Sequence, residues 1–257
     1  GTLTIKDSSA AGTGKITYED TGSGGEYVSN TITNKGTLTV KGGTIENTSS
    51  AAVAKTGYPY AIDNQSGSSD ASLTIRGGTV DCNQYSAIRL YANSFRNDNR
   101  VDIYDGTIKG CVEYQCAGEQ YLGLLSILGG SFERNDANMK RSLYIFSYNE
   151  VRDCSAMSCI ITGGTFEGAV EVNEFAQNFN KDKGFICGGT YKNGTYVNKQ
   201  GEVATFDNNP SNYVDYIGND LSGTEFERIV KRDGDTLEKY VYTVLKKENL
   251  TSGVYLS

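Results

Sequence analysis

The sequence predicts an all-β protein in which short parallel strands stack on one another as a solenoid. One phrase recurs along the chain: an apolar residue, a polar residue, an apolar residue, any residue, Gly-Gly-Thr and another apolar residue. Apolar and polar residues alternate within each copy, which is the periodicity of a β-strand. The intervals between successive glycine turns are 35, 28, 24, 34 and 25 residues. Such intervals, with a minimum and variable additions, are expected of a coil of fixed circumference whose loops are lengthened at its corners.

Each copy supplies two predicted strands separated by a glycine turn, as in residues 38–45 and 73–80. The Gly-Gly pair is expected to break the strand, because glycine adopts backbone angles that a side chain would resist. A third short strand follows in each copy, as in Ala61-Ile-Asp63 and Ala87-Ile-Arg89. Aligning the copies predicts about seven coils with three inward apolar columns. These columns are Ile5, Val40, Ile75, Ile103, Ile127, Ile161 and Ile186; Ile16, Ile45, Val80, Ile108, Phe132, Phe166 and Tyr191; and Ile32, Ile62, Ile88, Val112, Ile145, Val170 and Val197.

This pattern resembles the right-handed parallel β-helix of the pectate-lyase-like superfamily. Within it, the chain is most similar to the Gly-Gly-Thr repeat helices of gut bacterial surface proteins and of phage fibre and spike proteins. The resemblance covers residues 1–199 and is carried by phrases such as Leu38-Thr-Val-Lys-Gly-Gly-Thr-Ile45. It implies an extracellular protein on a bacterial cell surface or a virion, with a homotrimer as one assembly. It implies an architecture more strongly than a function, because a fold does not carry a site.

Residues 200–257 differ in composition and are predicted to form a C-terminal capping region with a β-hairpin. The glycine repeat stops there, and residues 226–244 alternate around Asp233-Gly234, a strong hairpin signal. The resemblance supports this reading, since such repeats often end in phrases like Tyr213-Val214 and Tyr242-Thr-Val244. A cap or a partner chain is expected, because an open end of stacked strands would pair with itself. A small separate domain is the alternative.

Composition excludes several classes of function. The chain has 24 Lys and Arg against 31 Asp and Glu, a net charge of −7, and no histidine. Catalytic sites and zinc sites that need histidine are therefore excluded. The acidic balance argues against nucleic-acid binding, and no apolar run is long enough for a membrane span. No signal peptide opens the chain, and because it starts at Gly1 in a strand-like phrase we interpret it as a piece of a longer protein. No cofactor is predicted.

Two groups of carboxylates are candidates for chemistry. Glu133 and Glu167 occupy the same outward position of neighbouring copies, close to the carboxyl separation of a retaining glycosidase, about 5 Å. The alternative is that outward strand positions of an acidic protein are simply acidic and solvated. Asp98, Asp102 and Asp105 could hold calcium through oxygen ligands. The alternative is an ordinary turn, since asparagines and Arg100 lie beside them.

Tyrosines are the aromatic residues expected to meet a ligand, because they stack on sugar rings, donate hydrogen bonds and also suit protein contacts. The candidates lie in predicted loops or at outward strand positions. They are Tyr58, Tyr60, Tyr91, Tyr114, Tyr121 and Tyr148. The alternative is that tyrosine is a common half-exposed strand residue.

The six cysteines allow disulfides or buried thiols. Cys111 with Cys116, and Cys154 with Cys159, share one spacing and could each staple a loop to its own strand. No Cys-x-x-Cys motif occurs, which argues against zinc and redox motifs. Threonines after the glycine pairs form a ladder, but charged residues in the partner positions argue against an ice-binding face.

The sequence favours a non-catalytic module that contacts a glycan, a cell-surface receptor or other virion or surface proteins. Insertions around residues 48–60, 113–124 and 147–158 are the candidate contact loops. A polysaccharide lyase or glycoside hydrolase using Glu133 and Glu167 is the first alternative. A purely structural spacer or decoration subunit is the second.

Overall fold

A computed structural model describes residues 1–9, 11–20, 30–49, 59–135, 141–147, 150–172, 175–177, 179, 189–191, 195–197, 203–205, 227–232 and 240–245. These residues form β-strands, turns and loops and contain no helix, so none of them belongs to a helix that could cross a membrane. The strands are β1 (Thr2–Ile5), β2 (Lys15–Tyr18), β3 (Ile32–Asn34), β4 (Thr37–Val40), β5 (Thr44–Asn47), β6 (Ile62–Gln65), β7 (Ala71–Cys82), β8 (Ile88–Ala92), β9 (Asn99–Lys109), β10 (Val112–Cys116), β11 (Gly123–Ile127), β12 (Ser131–Glu133), β13 (Arg141–Ser147), β14 (Arg152–Asp153), β15 (Met157–Ile161), β16 (Thr165–Phe166), β17 (Ala169–Val172), β18 (Ala176–Gln177), β19 (Thr190–Tyr191), β20 (Thr195–Val197), β21 (Val203–Thr205), β22 (Glu227–Arg232) and β23 (Tyr240–Leu245).

Strands of successive copies pair in parallel in three rows. The first row is β1, β4, β7, β9, β11 and β15. The second row is β2, β5, β7, β9, β12, β16 and β19. The third row is β3, β6, β8, β10, β13 and β17. Long parallel rows of this kind are compatible with a β-solenoid.

The prediction that each glycine pair breaks its strand is wrong for two copies. Strands β7 and β9 continue through their glycine turns with a shift in register, so the first two rows form one sheet. The second residue of each turn has a positive φ angle throughout the series. These residues are Gly43, Gly78, Gly106, Gly130, Gly164 and Gly189.

The first two predicted columns are confirmed by the strand register. The first runs from Ile5 to Ile161, and its last predicted member, Ile186, lies outside the described residues. The second runs without a break from Ile16 to Tyr191. Side chains such as Ile75 and Phe132 are fully buried, so these columns form the hydrophobic core that the alternation predicts.

The third predicted column is wrong at one position. Val112 pairs with Leu143 rather than with Ile145, which instead pairs with Tyr114. Both residues of β13 face inward because side chains two apart lie on the same face of a strand, and the periodicity cannot distinguish them. The predicted last member, Val197, lies in β20, which pairs antiparallel with β21.

A ladder of buried asparagine amides joins three copies at one corner. Asn34 donates a hydrogen bond from Nδ2 to Oδ1 of Asn64 at 2.5 Å, and Asn64 donates in the same way to Asn99 at 2.5 Å. Asn99 in turn donates to the carbonyl oxygen of Asn64 at 3.0 Å. All three side chains are buried, so the ladder satisfies polar groups that would otherwise be costly to bury.

The predicted C-terminal hairpin strands are present. Strand β22 pairs antiparallel with β23 along its whole length. The Asp233-Gly234 turn between them and the phrase Tyr213-Val214 lie outside the described residues. The domain boundary at residues 199 and 200 and the capping role stay predictions.

Cys82, Cys111, Cys116 and Cys154 are free and buried, and Cys159 is buried; Cys187 lies outside the described residues. The fold brings Cys116 to Cys154 rather than pairing either with its neighbour in sequence. The hydrogen bond between the two thiols lowers the pKa of Cys116, and together with burial it raises the pKa of Cys154. Burial raises the pKa of the Cys82 thiol to about 11.

Candidate functional site

Glu133 and Glu167 lie on adjacent strands of the second row, as their positions in the repeat predict. Phe132 pairs with Phe166, and the backbone N–H of Glu167 donates to the carbonyl oxygen of Phe132 at 3.0 Å. Both glutamates are half-buried. Lys109 is the residue aligned with Glu133 on its other side, so a cation borders this pair of carboxylates. A catalytic role for the two glutamates stays a prediction.

The same outward column is mostly acidic, with Lys109 between Asp81 and Glu133. Lys15 forms an ion pair of 2.6 Å with Glu46, Glu46 aligns with Asp81, and Asp81 aligns with Lys109. Burial raises the pKa of Asp81, Lys109 opposes this rise, and Glu46 adds to it. Lys15 beside Glu46 and Lys109 beside Asp81 offset part of this negative charge without a ligand.

The three aspartates proposed for calcium do not form a cluster. Asp102 is held by Arg100, whose Nε and Nη2 donate at 2.6 and 3.0 Å. Asp105 accepts a hydrogen bond of 2.7 Å from the backbone of Gly106, and Asp98 is exposed in the preceding loop. Within the described residues, no three acidic, cysteine or histidine side chains are grouped as metal ligands.

The structure separates the candidate tyrosines. The expected loop or outward position is wrong for Tyr114, which is buried at an inward position. Tyr60 lies in a loop, as expected, but it is buried there, whereas Tyr91 and Tyr121 are half-buried. Tyr58 and Tyr148 lie outside the described residues. Tyr114 faces the core because it occupies an inward position of β10, where its hydroxyl accepts a hydrogen bond from the backbone of Ser158 at 3.2 Å.

The outer face of the third row carries a network of buried charges. Asp63, Arg89 and Glu113 are aligned on β6, β8 and β10. Arg89 donates from Nε and Nη2 to the two oxygens of Asp63 at 2.8 and 2.6 Å. Burial opposes the charge of Arg89, but this bidentate bond prevails and raises its pKa. Charge-assisted bonds of this geometry are the stronger kind and fix both side chains.

Glu113 is enclosed by hydroxyl groups rather than by a cation. Ser86 donates to its Oε1 at 2.6 Å, and the hydroxyl of Tyr60 donates to its Oε2 at 2.8 Å. Burial raises the pKa of Glu113 despite these hydrogen bonds, and burial together with Glu113 raises the pKa of Tyr60. The network is therefore rigid and largely covered.

Two arginines on this face contact aromatic rings. The guanidinium of Arg89 lies 4.7 Å from the ring centre of Tyr60 and 4.5 Å from that of Tyr91. Arg141 pairs with Glu171 and lies 4.0 Å from the ring centre of Tyr144. These cation–π contacts fix the rings in place, and Tyr91 and Tyr144 keep part of their surface in solvent.

Three loops meet where the third row leads back into the first. They are residues 93–98, 117–122 and 150–156, and we call them the corner loops. Backbone hydrogen bonds join them, since Leu122 donates to Ser94 at 2.8 Å and Gln120 donates to Asp153 at 3.0 Å. Gln120 has a φ angle of 56°, a conformation that is uncommon for a residue other than glycine. The corner loops are therefore held in one arrangement.

The corner loops present a stacked aromatic pair. The rings of Phe95 and Tyr121 lie 6.3 Å apart with an angle of 28° between their planes, and Arg96 lies 5.1 Å from the ring centre of Phe95. Phe95 is 60% exposed. The ring of Tyr121 packs where a side chain on Gly118 would lie. An exposed aromatic surface on ordered loops can stack on a sugar ring or on another protein.

Comparisons with protein-family models, with curated proteins and with solved structures find no match to this chain.

Sequence reasoning found Tyr121 but missed its partner Phe95, because only tyrosines were considered. It also missed the network of Asp63, Arg89 and Glu113. The signal was present, since each of these residues directly follows a member of the third inward column. Extending the alignment by one position would have placed the three charges side by side on the outer face.

Proposed function

We propose that the chain is a non-catalytic attachment module, displayed on a bacterial cell surface or a virion, that contacts glycans or surface proteins. Its scaffold would be a right-handed parallel β-helix of about seven coils with the C-terminal hairpin as its cap. The parallel rows support this proposal, because parallel strands joined by crossovers in one sheet are right-handed in about 98% of cases.

The observation that carries the proposal is the pair of Phe95 and Tyr121. An exposed phenylalanine costs solubility and does nothing for the core, yet here it is stacked, flanked by Arg96 and placed on loops tied by backbone hydrogen bonds. Such a rigid aromatic surface loses little conformational entropy on binding. Multiple copies in an assembly would multiply a weak contact.

The test is a panel of soluble and insoluble neutral polysaccharides incubated with the purified chain, with bound protein measured in each tube. For a polysaccharide that binds, Phe95→Ala and Tyr121→Ala should each weaken binding about tenfold. The reason is that stacking of one ligand ring on an aromatic side chain is worth on the order of 1–3 kcal/mol. The matched control is Tyr104→Ala, which removes an exposed ring under an arginine on strand β9, outside the corner loops.

Two results would contradict the proposal. Equal weakening by Tyr104→Ala would show that the corner loops have no special part. New reducing ends or unsaturated products that disappear in Glu133→Gln or Glu167→Gln would make the chain an enzyme. The assay also measures products because these two glutamates lie on adjacent strands, which favours the enzymatic alternative.

A further inference from the structure

Two thiols from successive copies of the repeat meet beneath the corner loops. Cys116 is the last residue of β10, where it aligns with Ala92 of β8 and with Ser147 of β13. Cys154 follows β14 in the corner loop over residues 150–156. Both side chains are fully buried. Their contact therefore depends on the stacking of the copies and not on either loop alone.

Backbone contacts hold the two sulfur atoms in place. Sγ of Cys116 lies 3.0 Å from the carbonyl oxygen of Gly118. Gln120 donates a backbone hydrogen bond of 3.0 Å to Asp153, the residue directly before Cys154. The two thiols form a hydrogen bond with each other. Because the sulfur atoms are already in contact, a disulfide between them needs only a small adjustment of the side chains.

Cys111 is too far from Cys116 to be its partner. Strand β10 separates the two, and its five residues from Val112 to Cys116 span about 13 Å at the rise of a β-strand. A disulfide needs Cα atoms within about 7 Å of each other. The fold therefore excludes a staple between Cys111 and Cys116 and offers Cys154 instead.

The two thiols differ in reactivity, as an attacking and a resolving thiol do. The hydrogen bond from Cys154 and the positive charge of Arg152 lower the pKa of Cys116 despite its burial. The same hydrogen bond, together with burial, raises the pKa of Cys154. The thiolate is the form that attacks a disulfide. Cys116 is therefore the attacking thiol, and Cys154 is the thiol that completes the bond.

We propose that Cys116 and Cys154 are a modification site, at which a low-molecular-weight disulfide oxidises them to a cross-link between successive copies. The thiolate of Cys116 attacks the small disulfide, whose S–S bond breaks, so that a mixed disulfide forms and one small thiolate leaves. Cys154 then loses its proton and attacks Sγ of Cys116, and the second small thiolate leaves. Two protein thiols are oxidised, and one small disulfide is reduced to two thiols. Because both cysteines are buried, this exchange takes place while the chain folds or when the corner loops open.

The cross-link ties the corner loop over residues 117–122 to the one over residues 150–156. Gln120 lies in the first of these loops with a φ angle of 56°, a conformation that persists only where the surroundings enforce it. The cross-link supplies such a constraint. Disulfides persist in oxidising surroundings, which fits the surface display proposed above, although the chemistry of the two thiols does not depend on that display.

The experiment incubates the full chain with oxidised and reduced glutathione, in native buffer and in urea below the unfolding transition, where local opening exposes the thiols. The chain is then denatured, its remaining thiols are alkylated, and its peptides are mapped by mass spectrometry. The expected result is a reducible cross-link between the peptides that contain Cys116 and Cys154. The midpoint of thermal unfolding should be about 10 °C higher for the oxidised chain than for the reduced chain, because the link constrains the unfolded state.

Two variants test the pairing. Cys154→Ala should abolish both the cross-link and the rise of the midpoint. The matched control is Cys82→Ala, which removes another buried thiol, one whose Sγ lies 3.4 Å from the carbonyl oxygen of Pro59. This control should keep the cross-link and the rise.

The proposal is overturned if Cys116 and Cys154 are both still alkylated after incubation in both conditions, or if the cross-link joins Cys154 to Cys159. A stable glutathione adduct on Cys116 in place of the cross-link would overturn the role of Cys154. The peptide map of the parent decides the pairing even if Cys154→Ala fails to fold. Phe95→Ala should form the cross-link as the parent does, so this readout separates a failure of the inference from a failure of the corner-loop proposal.

Discussion

At the residue scale, Glu113 is the most unusual group in the structure. It is an acidic side chain at an outward strand position, yet it is buried beneath Tyr60. Its hydrogen-bond donors are hydroxyl groups, and Arg89 beside it donates its hydrogen bonds to Asp63 instead. Burial therefore favours the protonated form and raises the pKa of Glu113.

This shift predicts a pH dependence of stability. The folded state holds the proton of Glu113 more tightly than the unfolded state does, so its contribution to stability falls as pH rises above the ordinary glutamate pKa of about 4.3. We expect Glu113→Gln to remove this loss. The free energy of unfolding of the variant, minus that of the parent, should increase between about pH 4 and pH 7 in urea titrations.

Glu119→Gln is the control, because Glu119 is exposed and the chemical change is the same. Its unfolding free energy should follow that of the parent at every pH. Parallel curves for Glu113→Gln and the parent would show that Glu113 ionises without penalty in the folded protein.

Asn64 is the central member of the asparagine ladder. Replacing it by leucine keeps the branched shape but removes the amide that bonds to both Asn34 and Asn99. We expect Asn64→Leu to lower the free energy of unfolding by about 1–3 kcal/mol, because the buried Oδ1 of Asn99 loses this donor. Asn97→Leu is the control, since Asn97 makes its 2.9 Å bond near the surface and should change stability by about 0.5 kcal/mol or less. Equal effects in thermal denaturation would contradict the importance of the ladder.

At the element scale, the glycine turns allow the copies to stack closely. Gly78 has a φ angle of +84°, and a Cβ atom there would lie 2.5 Å from the carbonyl oxygen of Gly43 on the neighbouring copy. The turn therefore needs glycine both for its backbone angle and for the space between copies. This explains why Thr79, immediately after the turn, pairs in register with Thr44.

Gly78→Ala and Gly67→Ala separate these two requirements. Gly67 also has a positive φ angle, +42°, but nothing lies within 4 Å of an added Cβ. We expect Gly67→Ala to cost about 1–2 kcal/mol from the backbone angle alone, and Gly78→Ala to cost clearly more because the strand pairing must open. Chemical denaturation of both variants measures the difference. An equal cost would mean that the neighbouring copy yields without penalty.

The three corner loops differ in length, yet backbone hydrogen bonds join them into one surface. The loop over residues 117–122 donates to the preceding loop at Ser94 and to the following loop at Asp153. Phe95 and Tyr121 come from different copies and meet only because their strands are stacked. A prediction made one loop at a time therefore finds each ring but not the pair.

At the scale of the whole molecule, the outer surfaces differ in chemistry although the repeat is regular. The second row carries threonines and mostly acidic side chains, and the third row carries a buried network of charges and rings. An extended scaffold with distinct faces can engage several ligands at once, which suits attachment better than a single deep site.

Aligning the copies of the repeat predicts which residues of one column are neighbours, but it does not predict contacts between residues of different columns. Spacing placed Glu133 next to Glu167 because both lie at the same position of the repeat. It did not reveal that Tyr60 reaches Glu113, since the two residues are 53 positions apart and belong to copies that are not adjacent in sequence. Burial of Tyr114 was also missed, although it lies two residues after the inward Val112, because residues 113–124 were interpreted as a loop.

The sequence by itself determined the all-β class, the parallel stacking and the first two inward columns as far as the structure describes them, because a strict period of two and repeated glycine turns allow few alternatives. The tertiary structure decided which outward side chains are buried and which meet. Leu143 rather than Ile145 aligns with Val112, and Cys116 meets Cys154 rather than Cys111. The physical reason is that loop lengths between copies set the register and the contacts at the corners, and these follow from the packing of neighbouring copies rather than from any local pattern.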